Sequence, residues 1–364
     1  MAARKPGALD GLRIVSMAEQ YPGPFCTMTL SDMGADVIQV ERPGGDPSRF
    51  LPAFFEALNR NKRSVALDAR DPAQRAELLA LIERADVFLE GFRPGKLAKL
   101  DLGYDDLKTV NPRLIYASIS GFGQTGPYRM RPAHDLTFQG VGGALGERIS
   151  GAVDGLPPAV LLGDTVSALY AVAGVLSALL ARERTGQGSY VDIAMSDAVL
   201  AFQAPFVAAD AAEDAALPQR DAGYALYETA DARWLTTSVA HEDAYWDRLC
   251  RDVGLVDGVG LKRPDRVARR DELVAKIAER IRRMPFAHWE ALFEASGQMW
   301  GPALPREELA QDPQFNERGL FELVTRRDGT VQQVLRQPVK FSAYDNAPLR
   351  RAPEVGEHQG ESFD

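Results

Sequence analysis

The chain has 364 residues, a formal net charge of −9 and two cysteines, Cys26 and Cys250. The acidic balance argues against a nucleic-acid partner, which would need a basic face, and two cysteines make no disulfide framework. A chain of this length buries a large core without staples and is expected to form two domains, or one with a large insertion.

Met1 to Gly7 is short and polar and lacks the apolar segment of a secretory signal. Gly11 to Met17 predicts a strand, Pro24 to Gly34 a short helix, Ala35 to Glu41 a second strand and Ser64 to Asp68 a third. Asp71-Pro72 supplies a cap and a first-turn proline for a helix reaching Arg84. Asp86 to Glu90 predicts a strand that ends in Gly91-Phe92-Arg93-Pro94-Gly95, Asp105 to Val110 a helix, and Arg113 to Ser118 a strand. The alternation implies a parallel sheet with helices on both faces.

Thr165 to Ala181 is the most apolar run, broken by Ser167, Gly174 and Ser177. It is slightly short for a membrane span and predicts a buried helix, so a soluble cytoplasmic protein is expected. Ser189 to Ile193 predicts a strand and Met195 to Phe206 a helix, before a boundary in the Ala/Asp-rich stretch 208–216. Beyond it, paired strands (224–230, 233–240), three helices (242–253, 271–284, 286–296) and a hairpin around Asp328-Gly329 predict a smaller α+β domain.

Gly121 to Gly126 spells G-x-G-x-x-G after a strand. A dinucleotide site needs a helix opening at the third glycine, because the pyrophosphate sits on its free N–H groups. Pro127 and Pro132 forbid that helix. The glycines instead shape a loop at the C-terminal end of a strand, where open parallel sheets bind ligands. The loop ends in Ala133-His134-Asp135, and His134 is the one of four histidines best placed at a strand edge. Thirty residues on, Asp164 precedes the apolar helix. It reads either as the helix N-cap, with its pKa held low by the helix dipole, or as a catalytic carboxyl, which burial would have to raise.

The runs YPGPFCTMTLSDMGADVIQVERPGGDPSR, NRNKRSVALDARDP, ADVFLEGFRPGKLAKLDLGYDDLKTVNPRLIYASISGFGQTGPY and GDTVSALYAVAGVLSALLARERTGQGSYVDIAMSDA, with RQPVKFS near the C-terminus, resemble the family III CoA-transferases, a group that also contains α-methylacyl-CoA racemases. The resemblance implies a Rossmann-like large domain (1–207), a small α+β domain with linkers (208–330), a C-terminal segment returning to the large domain (331–364), and two subunits interlocked as a homodimer. It implies a CoA thioester as substrate, with no prosthetic group and no metal. Candidate CoA contacts carried over by motif are Arg42, Leu67, Asp68, Ala69, Arg70, Gly91, Phe92, Arg93, Lys99, Ala133, Asp135 and Phe138. Arg42, Arg70 and Arg93 each fall just past a predicted strand, where paired donors grip phosphate.

Both branches of the resembled family use the residue matching Asp164. Racemases oppose it to a histidine, here His134, with a small-domain glutamate in support, here Glu242. Inversion at the carbon beside a thioester needs a base on one face, an acid on the other, and donors for the enolate, for which the first-turn N–H groups after Asp164 are candidates. The expectation from His134-Asp135 is therefore racemisation of 2-methylacyl-CoA by 1,1-proton transfer. The alternatives are CoA transfer with Asp164 as nucleophile, and a silent CoA-thioester-binding protein.

Overall fold

The computed structural model describes residues 5–145, 160–211 and 221–363. The chain forms two compact units, Met1–Gln203 with Asn316–Asp364, and Ala204–Phe315.

The first unit is built on six parallel strands, β1 (Arg13–Ser16), β2 (Asp36–Glu41), β3 (Arg63–Ala66), β4 (Val87–Glu90), β5 (Ile115–Ser120) and β6 (Ser189–Ala194), in the order β3-β2-β1-β4-β5-β6. Central strands such as VFLE and IYASIS are buried along their whole length, as expected for a sheet covered on both faces. Alternate side chains feed different cores. Ile14 and Leu89 pack with Leu30, Val166 and Ala171 on one face; Val15 and Phe88 pack with Leu78, Ile82 and Tyr116 on the other.

Among the described residues the helices before the second unit are α1 (Pro22–Asp32), α2 (Pro52–Asn59), α3 (Pro72–Glu83), α4 (Tyr104–Val110), α5 (Asp135–Val141), α6 (Leu162–Thr185) and α7 (Met195–Phe202). Asp71 caps α3, accepting from the N–H groups of Ala73 and Gln74, with Pro72 in the first turn. The apolar helix α6 is longer than the run that predicts it, 24 residues. It has the length and mean hydropathy (1.6) of a membrane span. Its small residues Ala168, Ala171 and Val175 nevertheless pack into the core, and the helix lies against α1, α7, β5 and β6. Only one side is buried: Leu169, Tyr170 and Leu180 are exposed.

The second unit holds an antiparallel sheet of β7 (Tyr224–Glu228), β8 (Trp234–Ser238) and β9 (Trp300–Pro302). The described helices of this unit are α8 (Ala204–Ala211), α9 (Asp243–Asp252), α10 (Arg263–Ala268), α11 (Arg270–Ile281) and α12 (Phe286–Ser296). Tyr227, Leu235, Trp246, Ile277 and Phe293 form its core. At its centre the fully buried Arg266 donates to Asp221, to Asp243 and to the Ala240 carbonyl.

The chain then rejoins the first unit through the hairpin β10 (Phe321–Thr325) and β11 (Val331–Leu335), whose turn contains Asp328 and Gly329. Gly329 has φ +82°, the left-handed conformation such a turn requires. The tail returns to the edge strand β3. The His358 N–H donates to the Ser64 carbonyl, its Nδ1 accepts from the Ser64 N–H, and Gln359 Oε1 accepts from the Ala66 N–H.

Candidate active site

Strand order reverses between β1 and β4, so the connections leaving their C-terminal ends diverge and open a crevice there. A cavity of about 570 Å³ occupies this position. Its walls are the turn after β1 (Met17–Gln20), the turn after β4 (Gly91–Pro94), the end of β5 (Ile119–Gly121) and the loop leading into α5. His134 and Asp164 both line it.

The loop before α5 is shaped by its glycines and aromatics. Gly123 and Gly126 have φ +77° and +87°. Phe122 packs edge-on against Tyr128 and Phe138, and the Arg131 guanidinium stacks 3.8 Å from the centre of the Tyr128 ring. No helix opens at Gly126, so the dinucleotide reading stays excluded. His134 comes next, exposed and immediately ahead of α5.

Asp164 departs from the capping expectation. Helix α6 begins at Leu162, Leu161 occupies the N-cap position, and no side chain caps the end. Asp164 therefore lies inside the first turn. Burial, followed by the negative charge of Asp135, lifts its carboxyl from 3.8 to about 7. Desolvation outweighs the helix dipole, which alone would hold the value low. Asp135 is itself buried and bonded: its Oδ1 accepts from the Asp164 N–H at 3.2 Å, and its Oδ2 from Gln139 Nε2 at 2.5 Å. Gly163 permits this approach, since a Cβ there would stand 3.1 Å from Asp135 Oδ1 and 3.2 Å from Phe138 Cβ.

The N–H groups expected to hold an enolate are already used. That of Asp164 goes to Asp135, and that of Thr165 to the Leu161 carbonyl at 3.0 Å. Because the helix starts earlier than the sequence suggests, neither of these two donors is left over for an enolate.

Of the candidate CoA contacts, Gly91, Phe92, Arg93, Ala133 and Phe138 line the cavity. Arg42, Leu67, Asp68, Ala69, Arg70, Lys99 and Asp135 are not among its wall residues. Arg42 donates to the Gly45 carbonyl at 2.9 Å and stands 3.7 Å from Glu19. Arg70 is held by both oxygens of Asp68. Leu67 and Ala69 are core residues, and Lys99 is exposed in a short turn. Glu242 belongs to the second unit, where its carboxylate accepts from the N–H groups of Ala240 and His241 at 3.1 Å and is thereby held below the usual range.

Among the wall residues that the sequence reading does not single out are Glu19, Gln20, Arg129 and Arg131. Gln20 adopts φ +68°, and its N–H is tied to Asp46 at 3.0 Å. Nothing in the sequence marks that left-handed residue. The two arginines were visible as charges in the segment that ends at His134. Among the described residues, Arg93, Arg129 and Arg131 have no carboxylate partner. Among those residues, too, no cluster of three His, Cys, Asp or Glu side chains could hold a metal ion. Cys26 and Cys250 are buried, and burial pushes both thiols up to about 12, which makes them inert at neutral pH.

Residues 9–359 match the family model described as CoA-transferase family III. The chain is 35% identical to the succinyl-CoA:mesaconate CoA-transferase of Haloarcula hispanica, over 98% of this chain and 96% of that one. It is 34% identical to the acetyl-CoA:oxalate CoA-transferase of Acetobacter aceti, over 98% and 95%. Among solved structures, a CAIB/BAIF family protein from Brucella suis superposes with a TM-score of 0.84 at 33% identity, over 97% of this chain and 98% of that one.

Proposed function

The chain belongs to CoA-transferase family III, and on that premise we propose that it moves coenzyme A from an acyl-CoA thioester to a free carboxylate, with Asp164 as covalent nucleophile. The observation that carries this reading is the Asp164 carboxyl, lifted to about 7, in the wall of a cavity that also holds Glu19, Arg93, Arg129 and Arg131.

The ionised Asp164 carboxylate attacks the thioester carbonyl and expels CoA thiolate, forming a mixed anhydride. The thiolate attacks the aspartyl carbonyl, which releases the first acid and leaves an aspartyl-CoA thioester. The acceptor carboxylate displaces CoA from it, forming a second anhydride, and the thiolate takes the acceptor acyl group and restores Asp164. A carboxylate with a raised proton affinity is the better nucleophile, and at neutral pH about half of it is ionised. The three arginines favour anionic partners, CoA phosphates and a dicarboxylic acid among them.

This reading ranks ahead of the 2-methylacyl-CoA racemisation expected from His134, because the relatives described above are CoA-transferases. Proton exchange keeps one observation in its favour: His134 and Asp164 share the cavity. One experiment separates the readings. Incubation with succinyl-CoA and mesaconate, glutarate or oxalate is expected to yield a new acyl-CoA, and hydroxylamine to trap an adduct at Asp164. Loss of the α-hydrogen from a 2-methylacyl-CoA in D₂O, without an adduct or a new thioester, would replace transfer by racemisation. Neither signal would leave a silent binder. A homodimer belongs to the same proposal, supported by the exposed apolar side chains of α6 and α7, Leu169, Tyr170, Leu180, Leu200 and Phe202.

A further inference from the structure

Glu90, the last residue of β4, is 5% exposed and does not line the cavity. Both of its oxygens are occupied. Oε2 accepts from the Phe92 N–H at 2.6 Å, and Oε1 accepts from the Ser118 hydroxyl on β5. Ser118 Oγ in turn accepts from Gln124 Nε2 at 2.9 Å, and the Gln124 N–H donates to Asp192 of β6 at 3.1 Å. A chain of hydrogen bonds thus runs from the turn after β4, through two strands, to the glycine loop after β5. Each end of the chain adjoins a cavity wall, Gly91–Pro94 at one end and Ile119–Gly121 at the other.

We infer that Glu90 is a positioning residue for CoA-thioester binding, a buried carboxylate that locks the Arg93-bearing turn to the glycine loop so that two cavity walls hold one geometry. This rests on the CoA reading of the site. A buried, doubly bonded carboxylate is a strong clamp, because leaving either donor unpaired in a low-dielectric interior is unfavourable. The groups around it are Asp192 and Tyr190 on β6, Tyr116 on β5 and Lys96 beyond the turn. Burial lifts the carboxyl to about 7, and two donors aimed at it favour the ionised form. Glutamine can keep the Phe92 bond through its carbonyl and reverse the Ser118 bond, whereas alanine can do neither.

The test has two arms. Without ligand, hydrogen exchange in peptides covering 91–94 and 121–126 is expected to accelerate together in Glu90→Ala and to stay near wild type in Glu90→Gln. Exposed-side Gln124→Ala should loosen the same two peptides to a smaller degree, which guards against a Glu90 variant that fails to fold. In the second arm, the dissociation constant of free coenzyme A is measured by calorimetry. It should rise about tenfold in Glu90→Ala and within threefold in Glu90→Gln, with turnover at saturation nearly unchanged. Independent exchange of the two peptides, or equal CoA affinity in wild type and Glu90→Ala, overturns the inference. Wild-type protein that does not bind CoA at all overturns the functional reading instead, and the exchange arm still decides whether the clamp exists.

Discussion

Replacing Asp164 by asparagine should abolish transfer and at the same time make the protein more stable at pH 8. A carboxyl lifted from 3.8 to about 7 holds its proton about a thousandfold more tightly when folded, so ionising it within the fold costs ~4 kcal/mol at high pH. Asp164 is only partly buried, and solvent in the open cavity screens roughly half of that, leaving ~2 kcal/mol. The sign follows from the raised value. Below about 4 both folded and unfolded chains hold the proton and nothing is lost. The penalty grows as pH climbs from about 4 and is complete above about 7. Asparagine has nearly the same shape and no charge, so it escapes the penalty. Thermal unfolding of the two ligand-free proteins, followed by circular dichroism, should show Asp164→Asn melting about 4–8 °C higher at pH 8 and the two curves converging at pH 4.5. A variant that melts at or below wild type at pH 8, or a gap that persists in acid, would refute the argument that burial sets this carboxyl's proton affinity.

In wild type, kcat/KM for transfer should rise with pH through about 7 as Asp164 ionises; a flat profile between pH 5.5 and 8 would disconnect Asp164 from the rate. Asp135→Asn removes the second cause of the upward shift, so the acid limb of that profile should move to lower pH while the plateau changes less. Arg93→Ala, which removes a cavity-wall cation, is expected to raise KM for the CoA thioester about tenfold with a smaller change in kcat; steady-state kinetics reads the split. In the second unit, Arg266→Met takes from the fully buried Asp221 its nearer guanidinium, leaving Arg263 at 3.8 Å and the Gly223 N–H, and should cost ~3 kcal/mol in urea unfolding, with Asp221→Asn restoring part of the loss in the double variant.

The sheet was legible because its central strands are short runs rich in apolar and β-branched residues bounded by turn residues, as in VFLE and IYASIS. Helix α2 and strand β9 were not. Pro52–Asn59 sits between other signals without a cap, and Trp300–Pro302 is three residues long and includes glycine and proline, so no alternation marks it. His134 and Asp164 stood out by position, one at a strand edge and one ahead of the apolar helix, the family resemblance supplied their roles, and the structure puts both in one cavity wall. The capping role considered for Asp164 failed because the helix begins two residues earlier, at Leu162. Arg42 and Arg70 follow their strands as the sequence suggests, yet each turns to a neighbouring acid or carbonyl rather than to the cavity. Sequence spacing fixes where a side chain leaves the backbone, but not which partner it meets. Glu90 was visible as a letter in the DVFLE strand, while its clamp depends on β5 lying beside β4, which no local pattern states.

One of the two edge strands of the sheet is Arg63–Ala66, and its outward amides and carbonyl would stand open but for the tail, whose His358 and Gln359 satisfy them. An uncovered strand of that kind is an invitation to any extended polypeptide. The last turn of the chain therefore works as a selvedge, a finished border that keeps the fabric from being sewn to its neighbour. A protein cut short ahead of Gly356 would keep its crevice and lose that border, and its first failing would be insolubility.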